Sequence, residues 1–93
     1  MEDRELLELL DSSPIQGREL LEALYREPVR LAAWQHLDSA QDVEACVRET
    51  FAEFAAKRQR FDPSKGSLRG YLITIAARKA IRRWTAGQKQ KRP

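Results

Sequence analysis

The stretch Phe61-Asp62-Pro63-Ser64-Lys65-Gly66-Ser67-Leu68-Arg69-Gly70-Tyr71-Leu72-Ile73-Thr74-Ile75-Ala76 holds a loop and a helix start in one line. Pro63 has no N–H to donate and Gly66 disfavours helix, so a helix arriving from upstream ends before them. Ser67 is a good N-cap, because its hydroxyl can accept a bond from an N–H of the following turn. Beyond it, Leu68, Leu72, Ile75 and Ala76 share one face at helical spacing, with Ile81 and Trp84 further along. That pattern predicts a helix from Leu68 to about Thr85, and Gly87 stands where a left-handed C-cap would end it.

Upstream, Val43, Cys46, Val47, Phe51, Phe54 and Ala55 fall at offsets of 3, 4, 8, 11 and 12 from the first, a core-facing helical stripe. Asp38 or Ser39 can cap this helix, and its other face carries Asp42, Glu44, Arg48, Glu49, Glu53 and Lys57. Further back, Leu20, Leu21, Leu24 and Tyr25 begin a stripe that resumes at Leu31 and Leu37 across Pro28. Pro28 cannot bond the Leu24 carbonyl, so a kink or break is expected there. Ser13-Pro14-Ile15-Gln16 reads as the start of that helix, with Pro14 at the first position and Gln16 completing a capping box. A short helix, Glu2 to Leu10, precedes it with Leu6, Leu7, Leu9 and Leu10 to bury. No segment alternates at period two. The fold class is therefore all-α, a compact bundle of three to four helices over residues 1–87, with Gln88–Pro93 a basic tail or the start of a linker.

Apolar residues make up 42% of the 93, enough for a folded helical globule rather than a disordered chain. The longest apolar run, Tyr71 to Ala77, is interrupted by Thr74 and falls far below the roughly 20 residues a membrane span needs. The acidic start Met1-Glu2-Asp3-Arg4-Glu5 is unlike a secretory signal. A lone Cys46 and a lone His36 offer neither an internal disulfide nor a set of soft metal ligands, and a reducing cytoplasm is the expected home. No cofactor is expected. The net charge of +3 conceals a division: residues 1–62 hold all 14 acids against 8 bases, and residues 63–93 hold 9 bases and no acid. Solvated helices usually mix both signs. A 31-residue stretch of one sign, with its charges set among spaced apolar residues, is the footprint of a polyanion-binding face.

The stretch from Phe61 to Ala76 resembles the loop and helix of domain 2 of extracytoplasmic-function sigma factors: Phe-Asp-Pro, a basic residue, Gly-Ser, an aromatic or Leu, Arg, an aromatic, Leu and Ile-Ala in order. Arg48-Glu49-Thr50-Phe51 stands where that family has Gln-Glu-Thr-Phe, and Leu24-Tyr25-Arg26 matches the start of its first long helix. The likeness spans roughly Leu20 to Trp84. It implies a non-enzymatic module that binds core RNA polymerase and recognises and melts the minus-ten region of promoter DNA. By resemblance, Asp42, Ala45, Arg48 and Glu49 would meet the coiled coil of the polymerase's largest subunit. Lys65, Gly66 and Ser67 would line a pocket for a flipped base, and Arg69, Arg78, Lys79, Arg82, Arg83 and Trp84 would meet the non-template strand. Two docking positions depart from the family: Ala45 replaces an Asp and Arg48 a Gln. After Ile75-Ala76, the family's Arg-Asn and later Asp become Ala77, Arg78 and Arg82, which exchanges base readout for phosphate contact.

Other residues carry plainer readings. Tyr71 is expected in the core and Cys46 as a small buried hydrophobe. His36 is expected at a helix end as an exposed or capping residue, and Trp84 divides between packing and stacking. Acids on solvated helices are usually surface rather than catalytic, so no enzyme is expected. The competing reading is a sigma-like protein–protein module, for example one that binds an anti-sigma factor, supported by Ala45 and Arg48. A basic helix lying on anionic membrane is disfavoured, because its apolar face is needed for so small a core.

Overall fold

The computed structural model describes the backbone of residues 2–91 and the side chains of residues 2–88. Four α-helices follow one another: α1 (Asp3–Ser12), α2 (Pro14–Trp34), α3 (Ala40–Ala56) and α4 (Leu68–Lys91), with a single 3-10 turn at Arg58–Arg60. No strand occurs among the described residues. α2 is central and packs against α1, α3 and α4, while α3 and α4 pack on each other. The core is one cluster, in which Leu6 and Leu7 of α1, Leu21 and Val29 of α2, Val43, Val47, Phe51 and Phe54 of α3, and Leu68 and Leu72 of α4 are buried.

The stripe along α2 differs from the expected one. Leu21, Val29, Ala32 and Ala33 are buried, whereas Leu24 and Leu31 are 45% and 54% exposed. Small residues at 32 and 33 let neighbouring helices approach closely. The large leucines are left on the open side. No break occurs at Pro28, which sits inside an uninterrupted helix. Pro28 shares its side of the helix with the exposed Leu24 and Leu31, and buried residues before and after it hold both halves on the same core.

Ser13 is the sole residue between α1 and α2, with its N–H on the Leu9 carbonyl at 2.7 Å and its carbonyl taking the Gly17 N–H at 2.8 Å. Ending one helix and starting the next leaves it at φ −141°, ψ 76°, and its hydroxyl makes no capping bond. The expected capping box is therefore absent. So tight a junction brings the two helices together at Gly17, where any side chain would meet the α1 backbone. Ser39 caps α3 by accepting from the Asp42 N–H at 3.4 Å.

Ser67 caps α4, accepting from the Gly70 N–H at 3.0 Å. A second group serves the same helix start: Asp3 Oδ2 accepts from the Leu68 N–H at 3.2 Å, while Asp3 Oδ1 accepts from the Tyr25 hydroxyl at 2.5 Å. One carboxylate thus ties α1 to α2 and to the beginning of α4. Gly87 does not cap; α4 runs through it to Lys91, and no glycine among the described residues has positive φ. Arg92 and Pro93, the end of the expected tail, lie outside the described residues.

Candidate nucleic-acid interface

The loop between the 3-10 turn and α4 is held by its own polar groups. Asp62 Oδ1 accepts from the Ser64 N–H at 2.9 Å and from the Ser64 hydroxyl at 2.7 Å, and the Lys65 N–H bonds the Asp62 carbonyl at 3.0 Å. The Ser64 hydroxyl, then its N–H, hold the Asp62 carboxyl below the usual carboxylate range. Behind the loop, Phe61, Tyr71 and Phe54 stack edge to face, with Phe61 and Tyr71 centroids 5.0 Å apart and Phe54 and Tyr71 6.0 Å apart. Loop and aromatics enclose a recess of about 410 Å³ lined by Arg60, Phe61, Asp62, Lys65, Gly66, Ser67, Gly70, Tyr71 and Thr74.

Two further recesses continue from it. One of about 250 Å³ is lined by Glu53, Lys57, Arg60, Tyr71, Arg78, Lys79 and Arg82, and shares Arg60 and Tyr71 with the first. The next, about 320 Å³, is lined by Glu49, Lys79, Arg82, Arg83 and Ala86, and shares Lys79 and Arg82 with the second. The three recesses therefore form a track of neighbouring hollows from the Lys65 loop along α4 to Ala86, each sharing two wall residues with the next. Phe61 and Tyr71 at its loop end suit bases, and the cations along it suit phosphates.

The track gathers Lys65, Gly66, Ser67, Arg78, Lys79, Arg82 and Arg83. It leaves out Arg69 and Trp84. Nine residues separate Arg69 from Arg78, two and a half helical turns, which puts them on opposite sides of α4. The Arg69 charge instead bears on Tyr25, whose hydroxyl is pushed up to about 12, first by burial and then by its bond to Asp3. Trp84 is 39% exposed and lines none of the three recesses.

The acids of α3 are not a free surface. Arg83 donates through Nε to Asp42 at 3.2 Å and through Nη1 to Glu49 at 3.1 Å. Glu53 lies 3.1 Å from Lys79 Nζ and 3.6 Å from Arg78 Nη2, and the Lys79 hydrogen bond leads in holding its carboxyl below the usual range. Glu44 accepts from Arg26 of α2 at 2.6 Å. Arg48 is exposed and has no ion pair among the described residues, whereas Ala45 is 8% exposed and offers almost no area to a partner. Cys46 is buried with its thiol pushed up by that burial, and donates to the Ala76 carbonyl at 3.4 Å.

Sequence reading passed over Lys57, Arg60 and Thr74. A charge division drawn at Asp62 counted Lys57 and Arg60 with the acidic half, although their spacing of three, next to Phe61, was visible. Tyr71, expected in the core, packs on Phe54 and Phe61 but is only partly buried, and it also lines two recesses.

The family model for Sigma-70 region 2 matches residues 21–90. The chain belongs to that family. No curated protein and no solved structure matches it. Sigma-70 region 2 is a non-enzymatic domain of transcription initiation whose members engage RNA polymerase core and promoter DNA. The match covers α3, the loop and nearly all of α4, the elements that form the track. No helix of the described residues is long and apolar enough to cross a membrane.

Proposed function

We propose that this Sigma-70 region 2 domain, of the extracytoplasmic-function type, holds unpaired promoter strand along the track from the Lys65 loop to Ala86 while α3 docks on core RNA polymerase. The observation that carries the reading is the adjacency of the three recesses, whose shared wall residues join a base-sized pocket with an aromatic wall to a row of cations. A flipped base of the minus-ten element occupies the loop recess, where contacts recover the few kcal/mol lost on leaving the stack. Lys57, Arg60 and Arg82 neutralise phosphates of the non-template strand. Melting is then driven by binding, without a catalytic step, in the cytoplasm where the polymerase works.

The test is fluorescence anisotropy of a labelled single strand carrying a minus-ten-like sequence, titrated at several salt concentrations. Affinity is expected to fall steeply with salt. Arg60→Ala or Lys65→Ala should weaken binding and reduce the log–log salt slope by about one unit each. A salt-independent affinity overturns the reading. The competing protein–protein reading, with an anti-sigma factor as partner, draws on exposed Arg48, buried Ala45 and the engaged state of Asp42 and Glu49. Co-purification with core RNA polymerase decides between them, because the competitor predicts none.

A further inference from the structure

Between buried Phe61 and buried Leu68, every residue of the loop from Asp62 to Ser67 is exposed. Such a segment has no packing of its own to hold its course, and Gly66 widens the choice of backbone further. The shape of the loop recess therefore depends on how its two ends are fixed. Both ends are fixed by α1. At the downstream end, Asp3 Oδ2 accepts from the Leu68 N–H at 3.2 Å, the one hydrogen bond among the described residues that joins the start of α4 to another element. At the upstream end, Arg58 Nη2 donates to Asp11 at 3.1 Å. Arg58 opens the 3-10 turn that leads into Arg60 and Phe61, two walls of the recess, and its carbonyl takes the Phe61 N–H at 3.3 Å. Asp3 and Asp11 lie on a single helix, about 12 Å apart along its axis, with Leu6 and Leu7 between them buried in the core.

We propose that α1 is a strut for the base recess, with Asp3 and Asp11 as positioning residues that hold the two ends of the loop at a fixed span. This rests on the reading above and adds the residues that shape its pocket. α1 ends before residue 21, where the Sigma-70 region 2 match begins, so the family likeness gives these two acids no part. Asp3 meets the N-terminus of α4, where a carboxylate finds unpaired N–H groups and the positive end of the helix dipole. Its other oxygen takes the Tyr25 hydroxyl at 2.5 Å, so the carboxylate is itself held in place. Asp11 sits in the last turn of α1, where the dipole disfavours an acid, and its partner there is Arg58. Neither acid lines the recess, so both act through the backbone that they hold. A base entering a recess of fixed shape requires no reordering of the loop. With one end released, binding must first supply that order. The preference for a base then falls by what each anchor is worth: about fivefold for a helix cap and up to about fivefold for a partly exposed ion pair.

Anisotropy titrations compare a minus-ten-like single strand with versions that carry one abasic site at each position in turn, for wild type, Asp3→Ala, Asp11→Ala and the double variant. The position at which wild type loses most affinity is the one whose base enters the recess, and the ratio of intact to abasic affinity there is the readout. Both strands carry the same phosphates, so the charge gained on removing an acid cancels from the ratio, as does any general weakening of the fold. A control carries Glu5→Gln and Glu8→Gln, two exposed acids of the same helix. Each single variant should lower the ratio by about two- to fivefold and the double variant by about the product, while the control matches wild type. Asp11→Ala breaks a surface pair and leaves the core intact, so it decides the matter alone if Asp3→Ala does not fold. A wild-type ratio in Asp11→Ala, or an equal fall in the control, overturns the strut while the functional reading stands. A wild-type chain that binds no strand, or that tolerates an abasic site at every position, overturns both.

Discussion

Replacing Gly17 by alanine is expected to destabilise the domain, although alanine is the better helix former. A Cβ at position 17 meets the Leu10 Cα at 2.6 Å, the Leu10 N at 2.7 Å and the Leu9 carbonyl carbon at 3.0 Å. All three are backbone atoms of α1, so no side-chain rotation relieves them. Bringing the shortest contact to an ordinary separation of about 3.4 Å requires α1 to retreat by about 0.8 Å. That movement draws Leu6 and Leu7 from the core and pulls Asp3 away from the Leu68 N–H that it caps. Overpacking of this order costs about 1 to 3 kcal/mol. Alanine recovers roughly 1 kcal/mol of helix propensity. The net loss is about 1 kcal/mol and at most about 2 kcal/mol.

Urea unfolding followed by the helical circular dichroism signal reads this directly, as a lower midpoint at unchanged slope. Gly87→Ala is the control of opposite expectation: nothing lies within 4 Å of its Cβ, so the change is neutral or raises helix stability by up to about 1 kcal/mol. The Tyr25 hydroxyl supplies a second reading. It is pushed up to about 12 by burial and by Asp3, so if α1 retreats it should titrate closer to 10.0, its ordinary value. A Gly17→Ala midpoint equal to or above wild type refutes the close-approach argument.

Tyr25→Phe bears on alkaline stability. A raised phenol contributes stability that is complete below its unfolded value of 10.0 and is lost as pH rises through about 12, so wild-type stability should decline across that window. The phenylalanine variant, followed by thermal melts at several pH values, should lack the decline. Glu53→Gln bears on the acid side. Its carboxyl is held down chiefly by Lys79, so its contribution is present above the unfolded carboxylate value and is lost as pH falls through the folded one. The variant should be less stable than wild type by under about 1 kcal/mol at neutral pH, with the difference closing in acid. A gap of the same size at both pH values refutes the ion-pair assignment.

Where one local signal decided the geometry, the sequence was a good guide. Ser67 and Ser39 cap the helices they precede, and of the expected stripe Val43, Cys46, Val47, Phe51 and Phe54 are buried, whereas Ala55 at its end is exposed. Where a local signal met a competing demand, it was not. Ser13 has the composition of a capping box, yet serving two helices at once leaves its hydroxyl unused. Pro28 removes one donor from a helix packed on three neighbours, and that packing outweighs the loss. Gly87 has no compact neighbour to force a turn and stays in register. The track was half legible, because residues on α4 share a helix and a period, whereas Lys57 and Arg60 join it only once the chain has turned at Phe61.

The sign segregation admits two outcomes that the sequence cannot separate. An acidic helix and a basic helix either show their charges to different outside partners or, when packed side by side, neutralise one another. Here both occur on one helix. Arg83, Lys79 and Arg78 sit opposite carboxylates of α3, while Arg82, between them in sequence, has no such partner among the described residues. A phosphate contact releases a counterion only if the cation was not already neutralised by a carboxylate. Arg82→Ala should therefore lower the salt slope of single-strand binding by about one unit, whereas Arg83→Ala in the absence of polymerase should leave it nearly unchanged. Equal losses of slope would mean that the seam carboxylates do not hold Arg83 in solution, and the ion pairs would then be irrelevant to how this face meets nucleic acid.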